Sequence, residues 1–199
     1  MSLLLPFVHR QLCALLLGCV IAFSCAASER AAELEPWQPE AVPRLDLPTL
    51  DGRAAALATE TDKLVIVHFF ATWCEPCRDE LRSLERLAKT LDGRSFRILA
   101  VDVGEPADRV RRFLDRNKIS LRFPVLIDFD KQSMRAWNVE MLPTSYVLDR
   151  ELCPLWKVAG ALEWDVGPIL SKLEIEVARI EKGPSEASRE NCMVKGGSQ

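Results

Sequence analysis

Hydrophobic and polar positions fall in blocks along this chain, and the period changes from block to block. Residues 63–71, KLVIVHFFA, form an apolar run interrupted once, by His68, which predicts a parallel strand buried on both faces. Leu81, Leu84, Leu87 and Leu91 then recur at helical spacing, and Gly93 ends the segment. FRILAVDVG, residues 96–104, predicts a second buried strand, and PADRVRRFLDRN, residues 106–117, a helix with polar outer positions. The rhythm repeats with FPVLIDFD as a strand, KQSMRAWNV as a short helix, and TSYVLDRE as a strand entered through Pro143. LWKVAGA, residues 155–161, follows closely enough to be an antiparallel partner, and residues 165–182 close the domain as an amphipathic helix. Upstream, two short apolar runs flank Asp51-Gly52, a strong hairpin signal. Strand–helix alternation followed by a hairpin and a helix predicts an α/β fold, a mixed central sheet flanked by helices.

Composition changes this picture only at the ends. MSLLLPFVHR carries the only charge before an uncharged apolar stretch, Leu12–Ala27, which ends in small residues. That layout predicts an export signal over residues 1–27, with cleavage after Ala26 or Ala27. Its 16 residues are slightly short for a spanning helix, so an uncleaved anchor is the second reading. AFSC at Ala22–Cys25 weakly matches a lipoprotein box, the third. All three place the domain in the periplasm or elsewhere outside the cytoplasmic membrane, either secreted or anchored. Residues 28–44, rich in Pro and Glu, read as a linker, and 183–199 as a flexible polar tail. The net charge of −3 comes from well-mixed residues, which gives no reason to expect a nucleic-acid partner.

Seven cysteines are sorted by position. Cys13, Cys19 and Cys25 fall in or beside the targeting segment, and Cys192 in the tail. Cys153, in the turn between two predicted strands, has no helix N-terminus or cation to activate it and reads as a slow, non-catalytic thiol. Cys74 and Cys77 form a Cys-x-x-Cys pair within FFATWCEPCRDEL. As a structural staple the pair would close only a tiny loop and constrain the unfolded chain little. As half of a zinc site it lacks a second ligand pair, since His9 lies in the signal and His68 in a strand. A copper carrier or other metal-binding module is the non-enzymatic alternative, but Pro76 stiffens the spacing.

VHFFATWCEPC, PVLIDFDKQSMRAWNVEMLPTSYVLDRE and VAGALEWD together resemble the thioredoxin superfamily, and more narrowly the TlpA/ResA-type extracytoplasmic thiol–disulfide oxidoreductases. The likeness covers roughly residues 45–180, and an apolar-x-Pro-Thr segment lies about 65 residues beyond the cysteines. It implies a thioredoxin fold over residues 45–182, with an N-terminal β-hairpin and an extra strand–helix insertion. Cys74 is then the exposed attacking thiol and Cys77 the buried resolving one. Pro143 is a cis proline beside the disulfide, and Leu142, Pro143 and Thr144 form the substrate-binding segment. No bound cofactor is implied. Two departures stand out: EMLPT lacks the Gly that often precedes the Pro-Thr pair, and ELCP replaces a Gly-containing turn.

The residues suit that chemistry. Cys74 would start a helix with Pro76 in its first turn, where a missing N–H costs nothing. Free N–H groups and the helix dipole lower a thiol pKa from its ordinary value of about 8.5. Glu75, between the cysteines, opposes the thiolate and so favours release of electrons, making the pair a protein-disulfide reductase. A disulfide oxidase, an isomerase and a thiol peroxidase on the same fold are the alternatives. Glu80, three residues past Cys77, is either an active-site proton acceptor, as the resemblance suggests, or an exposed partner of Arg78 or Arg82. His68 is either a satisfied core histidine or a proton handler on the Cys77 side. Trp73 reads as a wall of the site, and Trp137, Trp156 and Trp164 as packing or surface aromatics. Family analogy adds an oxidised apocytochrome c as substrate, a role in cytochrome c biogenesis, and a membrane thiol-transfer protein as electron donor. The protein is expected to be a monomer.

Overall fold

In the computed structural model, residues 32–183 are described; residues 1–27, expected as a targeting segment, Cys13, Cys19, Cys25, Cys192 and the residues beyond 183 lie outside them. The strands are β1 (Glu35–Pro36), β2 (Asp46–Pro48), β3 (Ala54–Ala56), β4 (Leu64–Phe70), β5 (Phe96–Val103), β6 (Val125–Asp128), β7 (Thr144–Leu148) and β8 (Pro154–Ala159). The helices are α1 (Glu75–Thr90), α2 (Ala107–Asn117), α3 (Gln132–Ala136) and α4 (Gly167–Glu181). One six-stranded sheet runs β1-β8-β7-β4-β5-β6, and β2 and β3 form a separate hairpin. Strands β4, β5 and β6 are parallel, whereas β7 is antiparallel to β4 and β8 to β7. This mixed, helix-covered sheet is the thioredoxin fold expected from the sequence.

The buried apolar run becomes β4, the central strand, in which all seven residues are buried. Its even and odd positions serve two different cores. Leu64, Ile66 and Phe70 pack under α1, α2 and α4, meeting Leu81, Leu84 and Leu87, then Val110 and Phe113, then Leu173 and Val177. Burying each of those leucines contributes about 1.5–3 kcal/mol, so the cysteine-bearing helix is held by its apolar stripe rather than by propensity. Val65, Val67 and Phe69 pack on the other face against Leu45, Leu57, Trp137 and Tyr146. There Trp37 stacks on Trp137 at 5.6 Å, and the Tyr146 hydroxyl donates to the Trp137 carbonyl at 2.5 Å.

Three local features go beyond the sequence reading. Within the segment expected as a linker, Glu35 and Pro36 pair with Lys157 and Trp156, adding β1 to the sheet. Two residues are too few to show any hydrophobic period. In the ELCP turn, Leu152 takes the left-handed φ of 61° that a glycine would adopt freely. Cys153, expected as a thiol, is buried and disulfide-bonded, and its N–H donates to Asp149 Oδ1 at 2.8 Å.

Candidate active site

Strand β4 ends at Phe70, a short turn covers Ala71–Cys74, and α1 begins at Glu75. The Cys74 N–H donates to the Ala71 carbonyl at 3.1 Å, tying off the turn. Cys74 is the N-cap of α1, and its Sγ accepts the Cys77 N–H at 3.3 Å. An N-terminal backbone donor therefore points at the sulfur that would become a thiolate. Pro76 lies in the first turn, as expected. The two cysteines are joined in a disulfide with Cα atoms 5.3 Å apart. Exposure separates them less than the resemblance implied: Cys74 is 6% exposed and Cys77 fully buried, so Cys74 is reached only through a narrow opening.

Trp73, next to Cys74, is 66% exposed, and Met141 is 52% exposed with Leu142 half-buried after it. The Leu142–Pro143 peptide is cis. Thr144 opens β7 directly opposite Phe69, which sets Pro143 at the end of β4 that leads into the cysteines. The Pro143 carbonyl accepts the Gly160 N–H at 2.9 Å, and the Thr144 hydroxyl donates to the Met141 carbonyl at 2.8 Å, fixing this segment. Glu75, by contrast, has an 83% exposed side chain with Arg78 at 3.7 Å. Solvent and that guanidinium screen it, so its opposition to a thiolate is weaker than its sequence position suggests.

Glu80 is no surface partner of Arg78 or Arg82. It is 3% exposed and accepts the Trp164 indole N–H at 2.6 Å. Trp164 is itself fully buried, and the Ser83 hydroxyl holds its backbone N–H at 3.1 Å. Burial raises the Glu80 pKa to about 8, against smaller lowering effects of the indole and of the Leu162 backbone. His68 is fully buried, and its Nδ1 lies 2.8 Å from the Ser145 hydroxyl, its cross-strand neighbour. Burial pushes the His68 pKa down to about 3. Its Nδ1 lies 3.8 Å from Glu80 Oε1, which is ion-pair distance, yet both groups are neutral at pH 7. Among the described residues His68 Nε2 has no hydrogen-bond partner. In the sequence Trp164 reads only as a packing or surface aromatic and Ser145 carries no signal, since nothing local marks an indole 84 positions from its carboxylate.

A second buried acid cluster lies on the same sheet face. Asp102, on β5, is opposite Phe70 and fully buried, with the Glu105 carboxylate beside it. Burial, then the charge and hydrogen bond of Glu105, raise its pKa to about 8. The folded protein thus keeps a proton on Asp102 that the unfolded chain releases near pH 4. Stability from this group is complete below that pH and is lost as pH rises toward about 8. Glu80 acts in the same direction over the same range. His68, with a lowered pKa, acts in the opposite sense, its contribution falling away below about pH 6.5. Asp102→Asn should therefore flatten the loss of unfolding free energy between about pH 5 and about pH 8 by about 3 kcal/mol. Urea titrations of the two proteins at both pH values measure it, and parallel pH dependences would mean that Asp102 is ionised in the fold.

Residues 39–152 match the AhpC/TSA family. The thiol-disulfide oxidoreductase ResA of Geobacillus thermodenitrificans is 36% identical over 108 residues, 54% of this chain and 61% of that protein. ResA of Bacillus subtilis is 28% identical over 137 residues, 69% of this chain and 75% of that protein. The chain thus spans about three fifths of the length of the first of these relatives. A thioredoxin-family thiol:disulfide interchange protein from Chlorobium tepidum superimposes with a TM-score of 0.57 at 25% identity, covering 74% of this chain and 99% of that one. With a match over more than half its length and the sheet order described above, the chain belongs to the AhpC/TSA family and has a thioredoxin fold.

Proposed function

We propose that this protein is an extracytoplasmic thiol–disulfide oxidoreductase that reduces protein disulfides through Cys74 and Cys77. The observation that carries this is the pair itself: a disulfide at a helix N-terminus, with a backbone N–H on Cys74 Sγ and Cys77 sealed behind it. In the reduced protein the Cys74 thiolate attacks a substrate disulfide, forming a mixed disulfide and expelling one substrate thiolate. Cys77 then loses its proton and attacks Cys74 Sγ, releasing the second substrate thiolate and regenerating the disulfide. Two electrons pass from the protein to the substrate. Trp73 and Met141 offer an apolar rim for the substrate chain, and the Leu142 backbone beside Pro143 pairs with it.

Glu80 serves the second step. It is one helical turn past Cys77 on the same side, and a carboxyl with a pKa of about 8 exchanges a proton with a thiol at little cost in either direction. Glu80→Gln keeps the acceptor for the Trp164 indole and removes the titration. The expected result is an altered pH profile of thiol alkylation between about pH 5 and about pH 10, with stability at pH 6 close to wild type. Superimposed profiles would reduce Glu80 to a packing residue.

The couple is expected to lie nearer thioredoxin, at about −270 mV, than a strong oxidant such as DsbA, at about −120 mV. Support comes from a buried acid rather than a cation behind the thiols. Equilibration with glutathione and dithiothreitol measures the potential, and a value above about −160 mV would reassign the protein as an oxidase. On the family resemblance, its substrate is an oxidised apocytochrome c and its electrons come from a membrane thiol-transfer protein. It acts as a monomer outside the cytoplasmic membrane, exported or anchored by residues 1–27. Trapping with Cys77→Ser, followed by identification of the captured protein, tests this assignment.

A further inference from the structure

Glu105 is part of neither the helix that carries the cysteines nor the strand before it. It lies between β5 and α2 in a turn where Gly104 takes a φ of 77°. From there its nearly buried carboxylate reaches across to the active-site turn. Glu105 Oε2 accepts the Thr72 N–H at 2.6 Å, and Oε1 accepts the Thr72 hydroxyl at 2.8 Å. Thr72 is two residues before Cys74. On its other sides Glu105 meets Arg109, whose Nε donates at 2.7 Å, and protonated Asp102. A fully buried Asp102 beside the Glu105 carboxylate suits a neutral acid whose O–H is given to Glu105.

We infer that Glu105 is a positioning residue for Cys74: by gripping Thr72 at two points, it keeps the Cys74 sulfur over the N-terminus of α1 once the disulfide has opened. This role rests on the proposed thiol–disulfide chemistry and belongs to its reduced half. In the oxidised protein the covalent bond to Cys77 holds Cys74 in place. On reduction that tether goes, and among the described residues the sulfur is left with the Cys77 N–H, and the turn with the Cys74 N–H bond to Ala71 and the grip on Thr72. Trp73, between them, is largely exposed and offers little restraint. Bonds to a charged, desolvated acceptor are the strong kind, so this grip can outlast the loss of the disulfide.

The two contributions of Glu105 oppose one another, which makes the inference testable. Its negative charge alone disfavours a nearby thiolate, so removing charge with geometry kept should leave Cys74 as reactive or more so. Losing the grip moves the sulfur off the helix N-terminus and should make Cys74 less reactive. Iodoacetamide alkylation of reduced Cys74, followed across pH in a Cys77→Ser background, reads this directly. Glu105→Ala is expected to slow alkylation at pH 7 by at least about threefold and to raise the apparent thiol pKa. Glu105→Gln, whose amide can still engage both Thr72 groups, should restore the wild-type rate or exceed it. Arg109→Ala removes the outer ion pair and should lower stability while leaving the Cys74 profile unchanged. Thr72→Ala, which deletes only the hydroxyl bond, reads the same grip from its other end and should shift the profile as Glu105→Ala does, by less. The inference is overturned if Glu105→Ala and Thr72→Ala both superimpose on the parent profile, or if Glu105→Ala speeds alkylation as loss of charge alone would. Alkylation needs no disulfide substrate. A wild-type protein that fails to reduce insulin disulfides would thus sink the functional proposal without touching this result.

Discussion

Cys74→Ser is expected to bring reduction of insulin disulfides down to the buffer background, whereas Cys77→Ser should still capture substrate but fail to release it. A serine hydroxyl cannot form a disulfide, and Cys77 is too deeply buried to attack a protein in its place. The fold should survive both changes. Serine is a good N-cap, so its hydroxyl can take over the Cys77 N–H, and a bridge closing so short a loop adds little stability. Gel analysis without reductant separates the variants: a covalent adduct should accumulate with Cys77→Ser and be absent with Cys74→Ser. Adducts on Cys74→Ser would make Cys77 the attacking thiol and reverse the assigned order.

Trp164→Ala should destabilise the protein by about 3–5 kcal/mol, because a fully buried indole leaves a cavity in the core shared by α1 and α4. Trp164→Phe separates volume from chemistry. It fills most of the space but deletes the N–H, leaving Glu80 Oε1 without a donor at a cost of about 1–3 kcal/mol. Because that N–H lowers the Glu80 pKa against the effect of burial, its loss should push the carboxyl above about 8. The thiol alkylation profile of Trp164→Phe should then move to higher pH, while urea unfolding reports the stability cost. An unmoved profile would show that the indole only fills space.

Much of this was legible in the sequence because the signals were local. An apolar run long enough to cross a sheet, a leucine stripe and a Cys-x-x-Cys at their junction lie within 63–91, and each became what its period implied. Pro143 was legible through its motif. What the sequence concealed depends on pairs far apart in the chain. In the sequence Glu80 reads either as an active-site proton acceptor, through the resemblance, or as an exposed helical residue among the charged Asp79 and Arg82. Its burial comes from Trp164, delivered by the loop after β8. Asp102 carried a signal, a lone acid inside an apolar strand, but its partner Glu105 acts on Thr72 across 33 positions. Periodicity gives faces, not distances, and the chemistry of buried carboxyls is set by distances.

Residues 32–56 touch both margins of the large sheet. At one side β1 pairs with β8. At the other, Thr49 bridges to Leu126, and Leu50 donates to the Val125 carbonyl at 2.7 Å. Open strand edges are templates for pairing with another chain. The short N-terminal pairs therefore act as guards against self-association, and a domain trimmed to begin after residue 56 would bare two rows of backbone donors and acceptors. It would keep its cysteines but lose Trp37 and Leu45 from the second core, and it would be prone to join sheet to sheet with its own copies. Residues 32–56 thus bear on solubility and on the second core, far in sequence from the cysteines.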